Sequence, residues 1–120
     1  PWSMPLVEKL DELIGVASRQ HVMGKGLVHC VPVNFVRGLT FHDSVVIVDE
    51  AQNLTTSELV TILTRFGHNS KFIVVGDTRQ ADINGRSGFQ SIFNCFNNKS
   101  SENNEIYTFT FGEQDRYRTI

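Results

Sequence analysis

The residues best equipped for chemistry are Asp49 and Glu50, adjacent carboxylates that end the apolar run Val45-Val46-Ile47-Val48. An unbroken β-branched run reads as a strand buried on both faces. The carboxylates then stand at the strand's C-terminal end, where open α/β sheets bind ligands. A nucleotide hydrolase uses such a pair. One carboxylate holds Mg²⁺ through its water shell, and the next positions or deprotonates the attacking water. This is the Walker B pattern. The plain alternative is a strand that ends in two solvated acids, so the pair has to be tested against the rest of the chain.

A second cluster supplies that test. Lys71-Phe72-Ile73-Val74-Val75 is another apolar run, and it ends in Gly76-Asp77-Thr78-Arg79-Gln80. Between the two runs, Thr55 and Glu58 form a capping-box pattern. It opens a helix with Leu59, Ile62, Leu63 and Phe66 on one face, ending at Gly67. Strand, helix, strand over this distance is a βαβ unit with parallel strands and a right-handed crossover. Asp49, Glu50, Asp77 and Gln80 then emerge on one sheet edge. Gly76 permits close backbone approach, and Asp77 is suited to metal-shell water. Gln80 suits a γ-phosphate or the attacking water, because a carboxamide both donates and accepts. A simple turn would explain Gly76-Asp77 alone. Its distance from Asp49-Glu50 favours a shared site.

Other polar residues carry less. Arg37 follows an expected strand and precedes Gly38. It is a candidate clamp for phosphate or nucleic acid, or a partner for Asp43. Arg86 and Arg118 are the remaining phosphate candidates, although a lone arginine is more often surface charge. Gly24-Lys25-Gly26 is a turn and not a phosphate loop. The Walker A pattern needs glycine where Arg19 stands and Ser or Thr where Gly26 stands. The histidines at 21, 29, 42 and 68 have no metal-ligand spacing, and no Ser-His-Asp or Cys-His set is suggested.

The elements that must position these groups follow from hydrophobic spacing. Leu6, Leu10, Leu13, Ile14 and Ala17 give a helix over 4–18 that packs its stripe on the core, with Gly15 loosening its end. Residues 19–27 read as polar loop or frayed helix, and 28–36 as a strand with Pro32 favouring an edge. Residues 37–41 read as a turn and 81–86 as a loop. Phe89, Ile92, Phe93 and Phe96 give a helix whose aromatic stripe faces the core. Residues 97–104 read as a polar loop, 106–111 as an alternating strand, and Glu113 onward as the first turn of a helix.

Composition sets the outer bounds. A chain of 120 residues is at most one domain, and 40% hydrophobic with 20% charged residues is ordinary for a globular protein. A net charge of −2 and a pI near 6.1 give no global basic footprint, which leaves nucleic acid only a local patch. Cys30 and Cys95 read as free buried thiols in a reducing cytoplasm. No apolar run is long enough for a membrane span, and no signal-peptide pattern is present. The chain opens on Pro1-Trp2 and ends at Ile120 in an expected helical turn, so it reads as an internal piece of a longer protein.

Several blocks together resemble the PhoH family, most of all its phage-type branch. They are Pro1-Trp2-Ser3-Met4-Pro5, Arg37-Gly38-Leu39-Thr40-Phe41, Val48-Asp49-Glu50-Ala51-Gln52-Asn53, Leu63-Thr64-Arg65-Phe66-Gly67 and Gly76-Asp77-Thr78-Arg79-Gln80. Ser87-Gly88-Phe89 and Asp115-Arg116-Tyr117-Arg118 add to the likeness, which covers nearly the whole chain. The resemblance implies a RecA-like P-loop ATPase, related to the core of superfamily 1 helicases and linked by name to phosphate starvation. It implies ATP and Mg²⁺ as cofactors, and RNA or another single-stranded nucleic acid as a partner. Carried over by position, Asp49 would be the Mg²⁺-side carboxylate and Glu50 the general base. Gln80 would sense the γ-phosphate, with Gly76 and Asp77 shaping its turn. Arg118 would be a finger reaching a neighbouring subunit's ATP in a homo-oligomeric ring.

Two departures qualify this. The Walker A motif is absent and is expected upstream of Pro1, and Arg116-Tyr117 replaces an aliphatic pair before the last arginine. The expected fold is therefore α/β: a RecA-like parallel sheet with flanking helices, incomplete without its Walker A strand. Residues 1–120 would be the C-terminal part of a single ATPase domain. An unpaired edge, an exposed apolar face and poor ATP binding by the isolated chain are expected. A phosphoacceptor receiver domain would need an acidic pair on an earlier strand, and 28–36 has none. A non-catalytic RNA- or partner-binding module that keeps the fold is the remaining alternative. Asp49, Glu50 and Gln80, all present, speak against such decay.

Overall fold

In the computed structural model, residues 3–80 and 87–115 are described. The chain divides after Val36 into two compact units.

The first unit is helical. Helix α1 (Met4–Ile14) has Pro5 in its first turn, where the missing N–H costs no helical hydrogen bond. It stops at Gly15, whose φ of +84° and ψ of 156° leave the helical region. The chain then re-enters a helix, α2 (Val16–Gly24), across much of the stretch expected to be loop or frayed helix. A tertiary contact overrides the polar local sequence here. Arg19 Nε donates to Asp11 Oδ1 at 2.7 Å, and both side chains are half-buried. The apolar stripe of α1 is not core: none of its residues is buried, and Leu13 is 70% exposed. Nor do residues 28–36 form a strand. Pro32, with φ −62°, leads into a short 3-10 turn at Val33–Phe35, closed by the Phe35 N–H donating to the Pro32 carbonyl at 3.0 Å. Proline has no N–H for a ladder and fixes a φ that suits turns.

The second unit holds the βαβ arrangement. Strand β1 (Val45–Val48) and strand β2 (Lys71–Val74) pair in parallel, with Val45 opposite Lys71 and Val48 opposite Val74. Helix α3 (Thr56–Leu63) connects them. Its capping box is complete: Thr55 Oγ1 accepts the Glu58 N–H, and the Glu58 carboxylate accepts the Thr55 N–H at 3.0 Å. The helix ends at Leu63 and not at Gly67. Beyond it, Phe66 forms an isolated parallel bridge with Phe41 and stacks on Phe72, with ring centroids 4.6 Å apart. The core of this unit is Val48, Ala51, Leu59 and Ile62, drawn from β1, the turn after it and α3.

The two-face burial expected for these strands is not found. Val45 and Ile47 are 65% and 66% exposed, whereas Val46 and Val48 point inward. Side chains alternate along a strand, and among the described residues only one face is covered. The sheet of described residues has two strands, and the apolar side chains Val45 and Ile47 on its other face are exposed.

Helix α4 (Phe89–Phe96) carries Phe89, Ile92, Phe93 and Phe96 half-buried, so the aromatic stripe is only partly core. An antiparallel bridge between Thr55 and Ser87 ties its approach to the start of α3. Where a polar loop is expected, a short helix α5 (Lys99–Asn103) forms, because the Asn98 side chain accepts the Ser101 N–H at 2.8 Å and caps it. The alternating segment 106–111 pairs with no strand among the described residues, and Phe109 and Phe111 are 76% and 82% exposed. Alternation encodes two faces but cannot supply a ladder partner. Glu113–Asp115 is a 3-10 turn, and the rest of the expected helical turn lies outside the described residues. The cysteines are free, as expected, but Cys30 is half-buried and Cys95 exposed. Among the described residues no helix is long and apolar enough to cross a membrane.

Candidate functional site

The site lies at the C-terminal ends of β1 and β2. Pairing continues one step past both strands: the Val75 N–H donates to the Val48 carbonyl, and the Ala51 N–H to the Val75 carbonyl, each at 2.9 Å. Asp49 and Glu50 fall between these two bonds and are pushed out of the ladder into solvent. Glu50 takes a left-handed backbone, φ +53° and ψ 38°, which few non-glycine residues adopt. That turn folds the chain into a 3-10 helix at Ala51–Asn53, with Ala51 and Gln52 buried beneath the exposed acids. The Asp49 carboxylate accepts the Glu50 N–H at 2.9 Å and so steadies the strained residue from its neighbour.

The opposing wall is the turn after β2. Gly76 sits where any side chain would collide: a Cβ there would lie 2.9 Å from the Phe89 ring and 3.1 Å from the Gln52 backbone nitrogen. The close approach made by Gly76 is thus to protein, to the floor beneath Asp49-Glu50. The Asp77 carboxylate then collects the turn. It accepts from Arg79 Nε at 3.1 Å, from the Arg79 N–H at 3.0 Å and from Gln80 Nε2 at 2.8 Å. These donors, led by the Arg79 side chain, hold the Asp77 carboxyl far below the usual carboxylate range. Thr78–Gln80 form a short 3-10 turn, and the Gln80 side chain is exposed at its end.

Gln52, within the Val48–Asn53 block, carries no role that the sequence alone assigns. It is 1% exposed, and its amide bridges the two walls. Its Nε2 donates to Glu50 Oε2, and its Oε1 accepts the Asp77 N–H at 3.0 Å. The available signal is its place two residues beyond Glu50, beside a second amide in Ala51-Gln52-Asn53.

The βαβ geometry thus brings Asp49, Glu50, Gly76, Asp77 and Gln80 to one edge. No described hydrogen bond joins Arg37 to them. Arg37 stands exposed in the turn before Gly38, and Asp43, considered as its partner, instead accepts from Asn69 Nδ2 at 2.9 Å. Arg86, Arg118 and the Arg116-Tyr117 pair lie outside the described residues, as does the 81–86 loop. The described residues contain no cluster of three or more potential metal ligands.

An open cleft of about 360 Å³ lies at the other end of the strands, lined by Asp43, Ser44, Val45, Asn69, Ser70 and Lys71. Parallel sheets bind ligands at their C-terminal ends, so the carboxylate edge is the better candidate site.

Comparison with known proteins bears on this geometry. A family model described as PhoH-like protein matches residues 1–120. A PhoH-like protein of Bacillus subtilis (strain 168) is 37% identical over 83 residues, covering 69% of this chain and 26% of that protein. A PhoH-like protein of Synechocystis is 40% identical over 92 residues, covering 75% and 28%. Protein PhoH2 of Mycolicibacterium smegmatis is 37% identical over 82 residues, covering 68% and 19%. The chain therefore spans from about a fifth to a little over a quarter of the length of these curated relatives.

Proposed function

The chain belongs to the PhoH-like protein family, and from that premise we propose that it carries the hydrolytic half of a Mg²⁺-dependent ATPase site. The observation behind this reading is the convergence of Asp49-Glu50 and Asp77–Gln80 at the C-terminal edge of two parallel strands, joined through Gln52. Asp49 would hold Mg²⁺ through its water shell, and the ion would neutralise charge on the transferring phosphoryl group. Glu50, exposed beside it, would orient the attacking water and take its proton. Gln80 would leave Asp77 to hydrogen-bond the γ-phosphate or that water, as its amide can serve either.

The phosphate grip itself is assigned to the rest of the full-length protein, because no G-x-x-x-x-G-K-[ST] occurs within 1–120. Arg118 as a finger in a ring assembly and Arg37 as a phosphate contact belong to the same proposal. RNA or another single-stranded nucleic acid is the proposed partner, with a link to RNA metabolism and to phosphate starvation. Tyr107, Phe109 and Phe111, exposed along an unpaired segment, offer rings on which bases can stack. The test is ATP turnover by the full-length protein with and without Mg²⁺. Mg²⁺-dependent hydrolysis abolished by Glu50→Gln supports the reading, and turnover unchanged in that variant removes Glu50 as the base.

A further inference from the structure

We infer that Gln52 is a positioning residue of this site, aiming the Glu50 carboxylate and tying its direction to the backbone of the 77–80 turn. The inference rests on the ATPase reading of the same site. With Leu59, Gln52 is among the largest fully buried side chains described. A primary amide in a core is unfavourable unless both its ends are satisfied, and an apolar residue of the same length would fill this space without that requirement. Both ends are in fact used, each on a different wall of the site.

The direction of the amide is forced. The Asp77 N–H can only donate, so it takes the Gln52 oxygen at 3.0 Å, and the nitrogen must then face Glu50. Glu50 has an exposed, flexible side chain on a left-handed backbone. Left alone it would sample several rotamers, and the Gln52 donor selects one. The Asp77 N–H in turn belongs to the residue whose carboxylate holds Arg79 and Gln80. A ligand that draws Gln80 away from Asp77 therefore acts on the residue that anchors Gln52, and through Gln52 on Glu50.

The experiment uses the full-length protein and measures kcat and KM for ATP with Mg²⁺. The variants are Gln52→Glu, Gln52→Met and Glu50→Gln. Gln52→Glu keeps an acceptor for the Asp77 N–H but turns an acceptor toward Glu50. Gln52→Met removes both bonds without adding charge. Both should lower kcat on the order of 10–100-fold, as a misaimed catalytic group does, with KM changed less than about threefold. Wild-type kcat in both Gln52 variants, with Glu50→Gln inactive, overturns this inference and leaves the ATPase reading standing. Full activity in Glu50→Gln overturns both. Failure of both Gln52 variants to fold gives Gln52 a purely structural role and overturns the inference as well.

Discussion

The two ends of the β1–β2 pair are built from similar parts and put to different use. At the C-terminal end, a left-handed Glu50 turns the chain, and a buried amide joins the two exits. At the N-terminal end, left-handed Asp43 and Asn69 turn the chain, and their exposed side chains bond across at 2.9 Å. His42 and His68 stack there with ring centroids 4.2 Å apart, and the His68 N–H donates to His42 Nδ1. Gly67 allows that contact, since a Cβ would lie 2.2 Å from His42 Nδ1. Both ends are cross-linked, but only one presents adjacent carboxylates over a polar, buried link. The N-terminal link is solvated and fixes loop geometry. The C-terminal link is sheltered from water, where a hydrogen bond holds direction more firmly.

Several measurements would break or sharpen that contrast. The largest effect is expected at the C-terminal end. Glu50→Gln in the full-length protein should lower kcat by roughly 10²–10⁴-fold, the usual contribution of a general base, with little change in stability by thermal unfolding. Gly67→Ala, at the other end, should do the reverse. Overpacking the His42 contact should cost about 1–3 kcal/mol in denaturant unfolding, while the folded fraction keeps its kcat. A loss of kcat beyond the unfolded fraction would show that the two ends are coupled.

Between the ends, Thr55→Ala removes the capping-box hydroxyl and should cost about 1 kcal/mol, read from the same unfolding curves. Smallest is the acid response of Asp77. Its folded pKa is depressed, so its contribution to stability is present above the unfolded carboxylate value of about 4. That contribution is lost as pH falls below that value toward the folded pKa. Asp77→Asn should therefore lower stability slightly in the neutral range, leave it unchanged at the acid end, and so flatten the fall between them. Solvent exposure of Arg79 keeps this effect small. An unaltered acid limb in Asp77→Asn would mean that the Arg79 and Gln80 contacts do not persist in solution.

The parts legible in the sequence are those fixed by local chemistry. The runs 45–48 and 71–74, the Thr55–Glu58 box and the spacing between them gave the parallel βαβ unit and the edge its acids share. The misreadings lie where a partner decides. Residues 28–36 and 106–111 alternate like strands, yet among the described residues no ladder partner reaches them. Helix α2 persists through polar sequence because Arg19 finds Asp11 on the preceding helix. Asn98 caps a helix where the polar sequence alone reads as loop, and its residue type is itself a helix-start signal.

The same division runs through the site. Residue type and order alone determined that Asp49-Glu50 and Gly76-Asp77 would end neighbouring parallel strands, because period and turn chemistry act over a few residues. Which way those groups point was decided by the fold. The left-handed turn at Glu50, the Phe89 ring against Gly76 and the Gln52 amide spanning both walls each need two distant segments to meet. Such contacts form only when the chain packs, so tertiary structure alone set the direction of the acids that the sequence had already placed.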